Sequence, residues 1–375
     1  MRSSLVAALL VSLVWLGCSD GTNQLTAPDG LVPDISVVSQ DAFGLAIAAQ
    51  ENHTPRLLTT PGLIGTAVGL AENGQPVVKL FVTTAGVGGL PVSLDGIPVV
   101  VEITGEIFAL PHRCGHDTPR GDGDCSDEDP PPEPEDETID RTARFERPVP
   151  IGVSTGHPDI TAGTIGARVT KVVDGETFYY ALSNNHVYAN QNHAGIGDNV
   201  LQPGTYDGGK APDDVIGKLA AFKEIDFGGL NVIDAAIALS STSNLGKATP
   251  SDGYGAPKSS TVNEQDLRIN QKVKKYGRTT GLTKGQVYAL NASVNINYGD
   301  GNVALFVGQI IITPGGFSAG GDSGSVIVID DRKGKRSGPD DLKPVGLLFA
   351  GSSMITVANP IDAVLAEFGV TIDGD

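Results

Sequence analysis

Residues 315–329 read GGFSAGGDSGSVIVI and raise the question of whether Ser323 is a nucleophile. Small residues surround Ser323, and the apolar run VIVI follows soon after it. This pattern predicts a tight loop that leads directly into a buried strand. Such a loop can present a hydroxyl group, but glycine-rich turns before strands are also common in β proteins without catalytic activity. The partners of Ser323 elsewhere in the chain therefore decide its role.

A serine hydroxyl is a weak nucleophile at neutral pH and needs a base that is oriented by a third group. Among the six histidines, His186 differs because it follows an apolar run, in YYALSNNHVYAN, where a strand ends. The orienting group should be a buried carboxylate. Asp234, in NVIDAAIAL, has apolar residues on both sides, and a buried carboxylate needs a partner. Asp226, in KEIDFGG, is the weaker candidate because charged residues and glycines surround it.

In order and spacing, His186, Asp234 and Ser323 resemble the catalytic triad of trypsin-like (chymotrypsin-fold) serine proteases. SNNHV is similar to the histidine motif of that family, IDAAIAL to its aspartate strand, and GGDSGS to its Gly-Asp-Ser-Gly core. The resemblance covers residues 148–375. It implies an exported endopeptidase in which His186 is the base, Asp234 orients the imidazole, and the backbone N–H groups of Gly321 and Ser323 form the oxyanion hole.

The composition and the turn signals predict an all-β fold for this region. Glycine (49) and proline (24) are abundant, and many short apolar runs are separated by turn residues such as Asp174-Gly175. One helix is predicted near the C-terminus, with Asn359 as its cap and Gly369 at its end. With the family resemblance, we expect a double β-barrel with a C-terminal helix over residues 148–375.

Residues 35–111 predict a small α/β domain. SQDAFGLAIAAQ has apolar residues at helical spacing, and two apolar runs flank Asn73-Gly74, a strong hairpin signal. Reactive side chains do not concentrate here, so we interpret the domain as a spacer or folding aid. Residues 112–147 predict an acidic, proline-rich linker, because ten carboxylates between Asp122 and Asp140 repel one another.

Residues 1–18 predict an export signal: Arg2 precedes an apolar run that is too short to span a membrane. Its end, LGC, resembles a bacterial lipoprotein signal in which Cys18 carries the lipid, although Trp15 departs from that pattern and favours ordinary cleavage as the alternative. Residues 19–34 then form a polar tether. We expect an exported protein, either anchored by lipid in a bacterial cell envelope or secreted.

The other two cysteines, Cys114 and Cys125, are expected to form a disulfide in an oxidising compartment. Two alternatives involve metal ions in the same stretch. One is zinc and the other calcium, with these candidate ligands: His112, Cys114, His116 and Cys125 for zinc, and Asp122, Asp124 and Asp127 for calcium. No cofactor is expected.

The formal net charge of −18 excludes partners that bind through phosphate groups, such as nucleic acids. The expected partner is a protein or peptide substrate, with membrane contact only through Cys18, and the chain is taken to be a monomer. The resemblance implies a first-subsite pocket whose residues are uncharged, which favours neutral, apolar or small residues before the cut. The pocket residues are Phe317, Ser318, Ala350 and Gly351.

In activated zymogens of the family, a new amino terminus pairs with the aspartate that precedes the nucleophile. RFERPVPIGVSTGHP shows no clear matching cleavage site, so Asp322 is expected to pair with a basic side chain and no proteolytic activation is expected. Two other functions stay open: an inactive, lipid-anchored binding or adhesion module on a protease fold, and an esterase that uses the same triad.

Overall fold

The computed structural model describes residues 40–109, 139–263, 265–334 and 336–374. The predicted leader with Cys18, the Cys114–Cys125 disulfide and the alternative metal ligands therefore lie outside the described residues. Within the described ranges, no helix is both long and apolar enough to cross a membrane. In the same ranges, no three His, Cys, Asp or Glu side chains are grouped so as to hold a metal ion.

The described chain begins with a helix and a small group of strands. Helix α1 spans Gln40–Leu57, and the strands are β1 Leu63–Leu70, β2 Pro76–Val82, β3 Ser93–Leu94, β4 Ile97–Ile103 and β5 Phe108–Ala109. β1 and β2 form the hairpin predicted at Asn73-Gly74, and β4 lies parallel to β2. α1 packs on this sheet through Ala49 and Leu57, which bury apolar surface against Val78 and Leu80.

The rest of the described chain is mostly β-structure, with two short α-helices and a 3₁₀ turn at Thr205–Asp207. The helices are α2 Asn185–Tyr188 and α3 Ile361–Phe368. The strands are β6 Ser154–Thr155, β7 Gly163–Thr164, β8 Ala167–Val173, β9 Glu176–Ser183, β10 Asn199–Leu201, β11 Val215–Phe222, β12 Leu230–Asn231, β13 Ala236–Ser240, β14 Lys272–Gly277, β15 Gly281–Gly299, β16 Asn302–Thr313, β17 Val326–Ile329, β18 Arg332–Lys333, β19 Arg336–Ser337, β20 Pro344–Gly351, β21 Thr356–Pro360 and β22 Thr371–Ile372.

Two sheets carry the candidate site. The first is antiparallel, with the strand order β10-β11-β13-β9-β8-β22. The second has the order β12-β16-β21-β20-β17-β14-β15-β1-β2-β4-β3, with β5 paired to β15 and β20. The two sheets share an apolar core in which Leu182 and Ile237 of the first meet Val326 and Leu347 of the second.

The long strand β15 joins the N-terminal strands to the second sheet. β1 pairs with it in antiparallel register, for example Gly65 opposite Val294. Beside this pairing, the buried ammonium of Lys79 donates to the carboxylate of Glu102 (2.9 Å) and to the hydroxyl of Tyr288 (2.8 Å). The backbone ladder and this polar cluster both hold the N-terminal strands against the rest of the fold.

Two local predictions differ from the structure for the same reason. Helix α3 ends at Gly369 as expected, but it begins after Pro360, and the side chain of Asn359 does not cap it. Instead, Oδ1 of Asn359 accepts a hydrogen bond from the backbone N–H of Asp234 (3.0 Å). The apolar residues of NVIDAAIAL predict one buried strand, but β12 ends at Asn231 and β13 begins at Ala236, because side chains rather than a neighbouring strand satisfy the backbone of Asp234.

Candidate active site

The register of two neighbouring strands brings His186 and Asp234 together. β9 pairs with β13 so that Ser183, the last residue of β9, lies opposite Ala236, the first residue of β13. His186 follows β9 in the single turn of α2, and Asp234 precedes β13. The amide of Asn184 ties the two segments by donating to the backbone carbonyl of Asp234 (2.7 Å).

His186 and Asp234 form a buried pair with two contacts. Nδ1 of His186 lies 2.6 Å from Oδ2 of Asp234, and the backbone N–H of His186 donates to Oδ1 (3.2 Å). Both side chains are essentially inaccessible to solvent. The carboxylate can only accept, so Nδ1 carries the proton and Nε2 is left as the acceptor. Among the described residues, the buried Nε2 has no hydrogen-bond partner.

Tyr298 is a third member of this cluster that the sequence did not indicate. Its hydroxyl donates to Oδ2 of Asp234 (2.8 Å). Burial, and then the charge of Asp234, raise the pKa of Tyr298 well above its ordinary value. The phenol therefore stays protonated and acts as a donor to the carboxylate. No local pattern marks Tyr298, because it reaches Asp234 only through the course of β15 across the site.

Ser323 lies in the loop directly before β17, between two glycines in the left-handed region. Gly321 has φ of 93° and Gly324 has φ of 96°, conformations that a side chain would strain. Ser323 is buried, and its hydroxyl donates to the carbonyl of Phe349 in β20 (3.2 Å). In this structure, then, the hydroxyl contacts β20 and the acceptor nitrogen of His186 is unpaired.

The short strand β7 lies between the histidine segment and the serine loop. The backbone N–H of Thr164 donates to the carbonyl of Ser323 (2.8 Å), and the carbonyl of Thr164 accepts from the hydroxyl of Ser183 (2.8 Å). A Cβ at Gly163 would lie 2.5 Å from the Val187 side chain and 3.1 Å from the Ser323 carbonyl. Glycine at position 163 therefore allows Val187, the residue after His186, and the backbone of Ser323 to pack against β7.

Asp322 has the basic partner that was predicted from the sequence. Nζ of Lys275 lies 3.4 Å from its Oδ2, and both side chains are fully buried. The carboxylate also accepts from the backbone N–H of Thr279 (2.9 Å) and the hydroxyl of Thr280 (2.7 Å). Burial lowers the pKa of Lys275, while the charge of Asp322 opposes that shift. An internal cation thus holds the residue that precedes Ser323.

Two of the predicted pocket residues, Phe317 and Ser318, lie in the same loop as Ser323, between β16 and β17. Phe317 packs in the apolar core beneath β14 and β16, and the hydroxyl of Ser318 is hydrogen-bonded to that of Thr356 (2.6 Å). Ala350 and Gly351 end strand β20 and are both buried. No charged group belongs to this set.

The weaker carboxylate candidate, Asp226, lies elsewhere. It is in a turn, where its side chain accepts from the backbone N–H of Gly228 (2.8 Å). The structure therefore favours Asp234 over Asp226 as the partner of His186.

The chain is similar to one family model and to several solved structures. Residues 259–358 match the family model described as the Nal1 C-terminal domain. None of the curated proteins compared with the sequence matches it. Solved structures that resemble the chain include a glutamic-acid-specific serine protease that uses a histidine triad in substrate binding, at 22% identity and a TM-score of 0.41, over 60% of this chain and 100% of that one.

Two further solved structures that resemble the chain are a protease and a chymotrypsin. Thermobifida fusca protease A is 15% identical with a TM-score of 0.41, over 60% of this chain and 100% of that one. Cellulomonas bogoriensis chymotrypsin is 16% identical with a TM-score of 0.39, over 60% of this chain and 99% of that one. At TM-scores this low, the strand pairing described above, and not the likeness, defines the fold.

Proposed function

We propose that this chain is a serine endopeptidase of the trypsin-like type, built on a double β-barrel, that cleaves peptide bonds through an acyl-enzyme on Ser323. One observation carries the proposal: the buried imidazole of His186 is held by Asp234 at Nδ1 and unpaired at Nε2, and Thr164 of β7 connects the segment before His186 to the loop of Ser323. A buried polar atom without a partner destabilises the fold, so its presence favours a chemical role. General base catalysis needs such an acceptor.

In the proposed reaction, Ser323 attacks the scissile carbonyl while Nε2 of His186 takes the hydroxyl proton. In this proposal the hydroxyl first leaves the Phe349 carbonyl and turns toward Nε2 by a change of the χ1 rotamer of Ser323. Asp234 stabilises the imidazolium, which then protonates the leaving amine. A water molecule, deprotonated by His186, hydrolyses the acyl-enzyme and restores Ser323.

The backbone N–H groups of Gly321 and Ser323 are the proposed donors to the oxyanion of the tetrahedral intermediate. Each such donor contributes roughly a hundredfold or more to the rate in enzymes of this kind. The positive φ of Gly321 and the clamp that Lys275 and Thr280 place on Asp322 support this role, because they restrain the loop between the two donors.

The proposed first subsite is neutral. Phe317 is apolar, and the hydroxyl of Ser318 is already bound by Thr356. We expect substrates with apolar or small residues before the cut. Digestion of a mixed peptide library, with the products identified by mass spectrometry, tests this expectation, and cleavage strictly after arginine would contradict it.

The proposed location is outside the cytoplasm, and it rests on residues 1–18 of the sequence. Metabolic labelling with a radioactive fatty acid, in wild type and in Cys18→Ala, decides between lipid anchoring and secretion. Label that is lost in Cys18→Ala supports the anchor, whereas unlabelled protein in the medium supports secretion.

A fluorophosphonate probe, which reacts with activated serines, tests the proposed chemistry. We expect labelling at Ser323 that disappears in Ser323→Ala and persists in Ser325→Ala, a buried serine of the same loop. Equal labelling of wild type and Ser323→Ala would contradict the proposal. Hydrolysis of casein rather than of a simple ester alone separates the endopeptidase from the esterase.

A further inference from the structure

One edge of β20 pairs with different segments on the two sides of Ser323, the proposed nucleophile. Along this edge, β20 first pairs with β17, with Leu347 opposite Val326. Leu348 then accepts a backbone hydrogen bond from Gly324 (2.8 Å), and the carbonyl of Phe349 accepts from the hydroxyl of Ser323 (3.2 Å). Past Phe349, the serine loop has turned away, and the edge would be open to an added strand.

Strand β5 covers this part of the edge. It runs antiparallel to β20, with Ala109 opposite Ala350 and Phe108 opposite Gly351. The opposite edge of β20 is already paired with β21, where Ala350 and Gly351 lie opposite Val357 and Thr356. β5 therefore pairs with β20 where the contacts from β17 and from the loop of Ser323 end.

The backbone of Phe108 faces β20. The carbonyl of Ile107 accepts from the backbone N–H of Asn297 in β15 (2.9 Å). Successive residues of an extended strand direct their N–H and C=O groups to opposite sides, so both backbone groups of Phe108 point toward Gly351. The side chains of Ile107 and Ala109 are buried in the same apolar cluster as Phe349.

We propose that residues 107–109 act as a built-in competitor of the substrate, because in the intact chain they occupy the edge of β20 at Ala350 and Gly351 along which a substrate peptide would lie. This inference rests on the proposed endopeptidase function. A peptide whose carbonyl is to reach Ser323 must lie beside this edge, and open sheet edges bind extended peptides by adding them as a strand. The chain itself already supplies that strand.

The N-terminal strands keep the competitor close to the site. β1 is paired with β15, and the cluster of Lys79, Glu102 and Tyr288 fixes β4, which ends a few residues before β5. A segment tethered in this way has an effective concentration on the order of millimolar, enough to compete with a dilute substrate. The buried state of Ser323 agrees with a closed cleft.

This inference revises one expectation from the sequence. Lys275 does take the place of a new amino terminus at Asp322, so the loop needs no activating cleavage for its own geometry. The cleft must nevertheless be vacated before a substrate enters. The N-terminal domain, interpreted above as a spacer, thereby acquires an inhibitory role.

The variant Phe108→Pro tests the inference, because proline removes the backbone donor that faces Gly351. Ser93→Pro is the matched control, since β3 is also a two-residue strand of the N-terminal region and pairs only with β4. We expect fluorophosphonate labelling and peptide hydrolysis to become about tenfold faster or more in Phe108→Pro, given the effective concentration that is lost. Hydrogen exchange at the amide of Gly351, which faces Phe108, should accelerate in Phe108→Pro and stay unchanged in Ser93→Pro.

A peptide added to the solution gives a second measurement. The blocked hexapeptide TGEIFA, residues 104–109, should inhibit Phe108→Pro competitively, and the same peptide with proline in place of phenylalanine should not. If Phe108→Pro fails to fold, Ala109→Asp replaces it, because a carboxylate at this buried position disfavours docking of β5.

The outcomes separate the two proposals. Faster exchange at Gly351 without faster labelling or hydrolysis, in a protein whose wild type cleaves peptides, overturns self-inhibition and leaves the endopeptidase intact. A folded Phe108→Pro protein with the edge released, but with neither labelling nor hydrolysis, overturns the endopeptidase function and the inference with it. Acceleration in Ser93→Pro equal to that in Phe108→Pro also overturns the inference.

Discussion

The hydroxyl of Tyr298 lies 2.8 Å from Oδ2 of Asp234, the oxygen that also contacts Nδ1 of His186 at 2.6 Å. Tyr298 belongs to β15 of the second sheet, whereas His186 and Asp234 flank strands of the first. The contact therefore joins the two sheets at the candidate site. A phenol that stays protonated donates to the Asp234 side chain and restricts its orientation.

Replacement of this tyrosine, Tyr298→Phe, should lower kcat for peptide hydrolysis roughly tenfold to a hundredfold, because a hydrogen bond to a charged group contributes about 1.5–3 kcal/mol. KM should change little, because Tyr298 acts through Asp234 and not on the substrate. Tyr288→Phe is the matched control, since it removes a donor from the same strand whose acceptor is Glu102. Equal kcat values in Tyr298→Phe and wild type would show that Tyr298 has no positioning role.

Loss of the buried cation in Lys275→Met should reduce activity about a hundredfold, because a buried Asp322 without its partner distorts the oxyanion loop at a cost of about 3–5 kcal/mol. Lys274→Met offers a control on the neighbouring residue. Lys274 is also buried, but it pairs with Asp330 and Asp341. We expect the control to lose stability in urea and to retain kcat, and equal losses of kcat in both variants would contradict the assignment.

A methyl group at position 321 should disrupt the oxyanion loop. In Gly321→Ala, the new Cβ would lie 2.6 Å from Oγ1 of Thr279 and 2.9 Å from the Arg278 guanidinium, at a φ of 93°. We expect kcat to fall roughly a hundredfold, the typical effect of losing one oxyanion donor. Gly316→Ala has a similar φ of 84° but meets no atom within 4 Å, so it should cost about 1 kcal/mol of stability and leave kcat unchanged. A large loss of kcat in Gly316→Ala would show that backbone strain alone explains the loss in Gly321→Ala.

Stability in acid should depend on Asp214. The hydrogen bonds from Arg144 lower the pKa of Asp214 below its ordinary value, and burial opposes this only in part. A carboxyl whose pKa is lower in the folded state stabilises the fold above its unfolded pKa, roughly 4, and loses this contribution as the pH falls through the folded value. The free energy of unfolding should therefore fall in Asp214→Asn at pH 7 and fall less near pH 3.

Urea unfolding at the two pH values measures this difference. The matched control is Asp213→Asn, because Asp213 is the exposed neighbour of Asp214 and its removal should have little effect at either pH. A loss in Asp214→Asn that is the same at pH 3 as at pH 7 would show that the ion pair with Arg144 does not govern acid stability.

The features that could be predicted from the sequence are those with a local cause. Turn residues determine the hairpins at Asn73-Gly74 and Asp174-Gly175, and apolar spacing with a final glycine determines the C-terminal helix. Asp234 and His186 were selected one at a time, from a carboxylate among apolar residues and a histidine after a strand. The structure brings these two into contact, while the catalytic role of Ser323 stays a prediction.

What only the tertiary structure decided is which distant segments pair. Sheet edges accept any extended backbone, so a two-residue strand such as β5 carries no signature of its partner β20, and its register depends on the packing of the whole N-terminal sheet. Tyr298, Lys275 and Asn359 are ordinary residues in the sequence, and each gains its role from a buried carboxylate or backbone group far along the chain. The sequence by itself determined the local elements and the candidate chemistry, because both follow from neighbouring residues. Long-range strand pairing decided which side chains surround the candidate site and that β5 lies against β20 beside it.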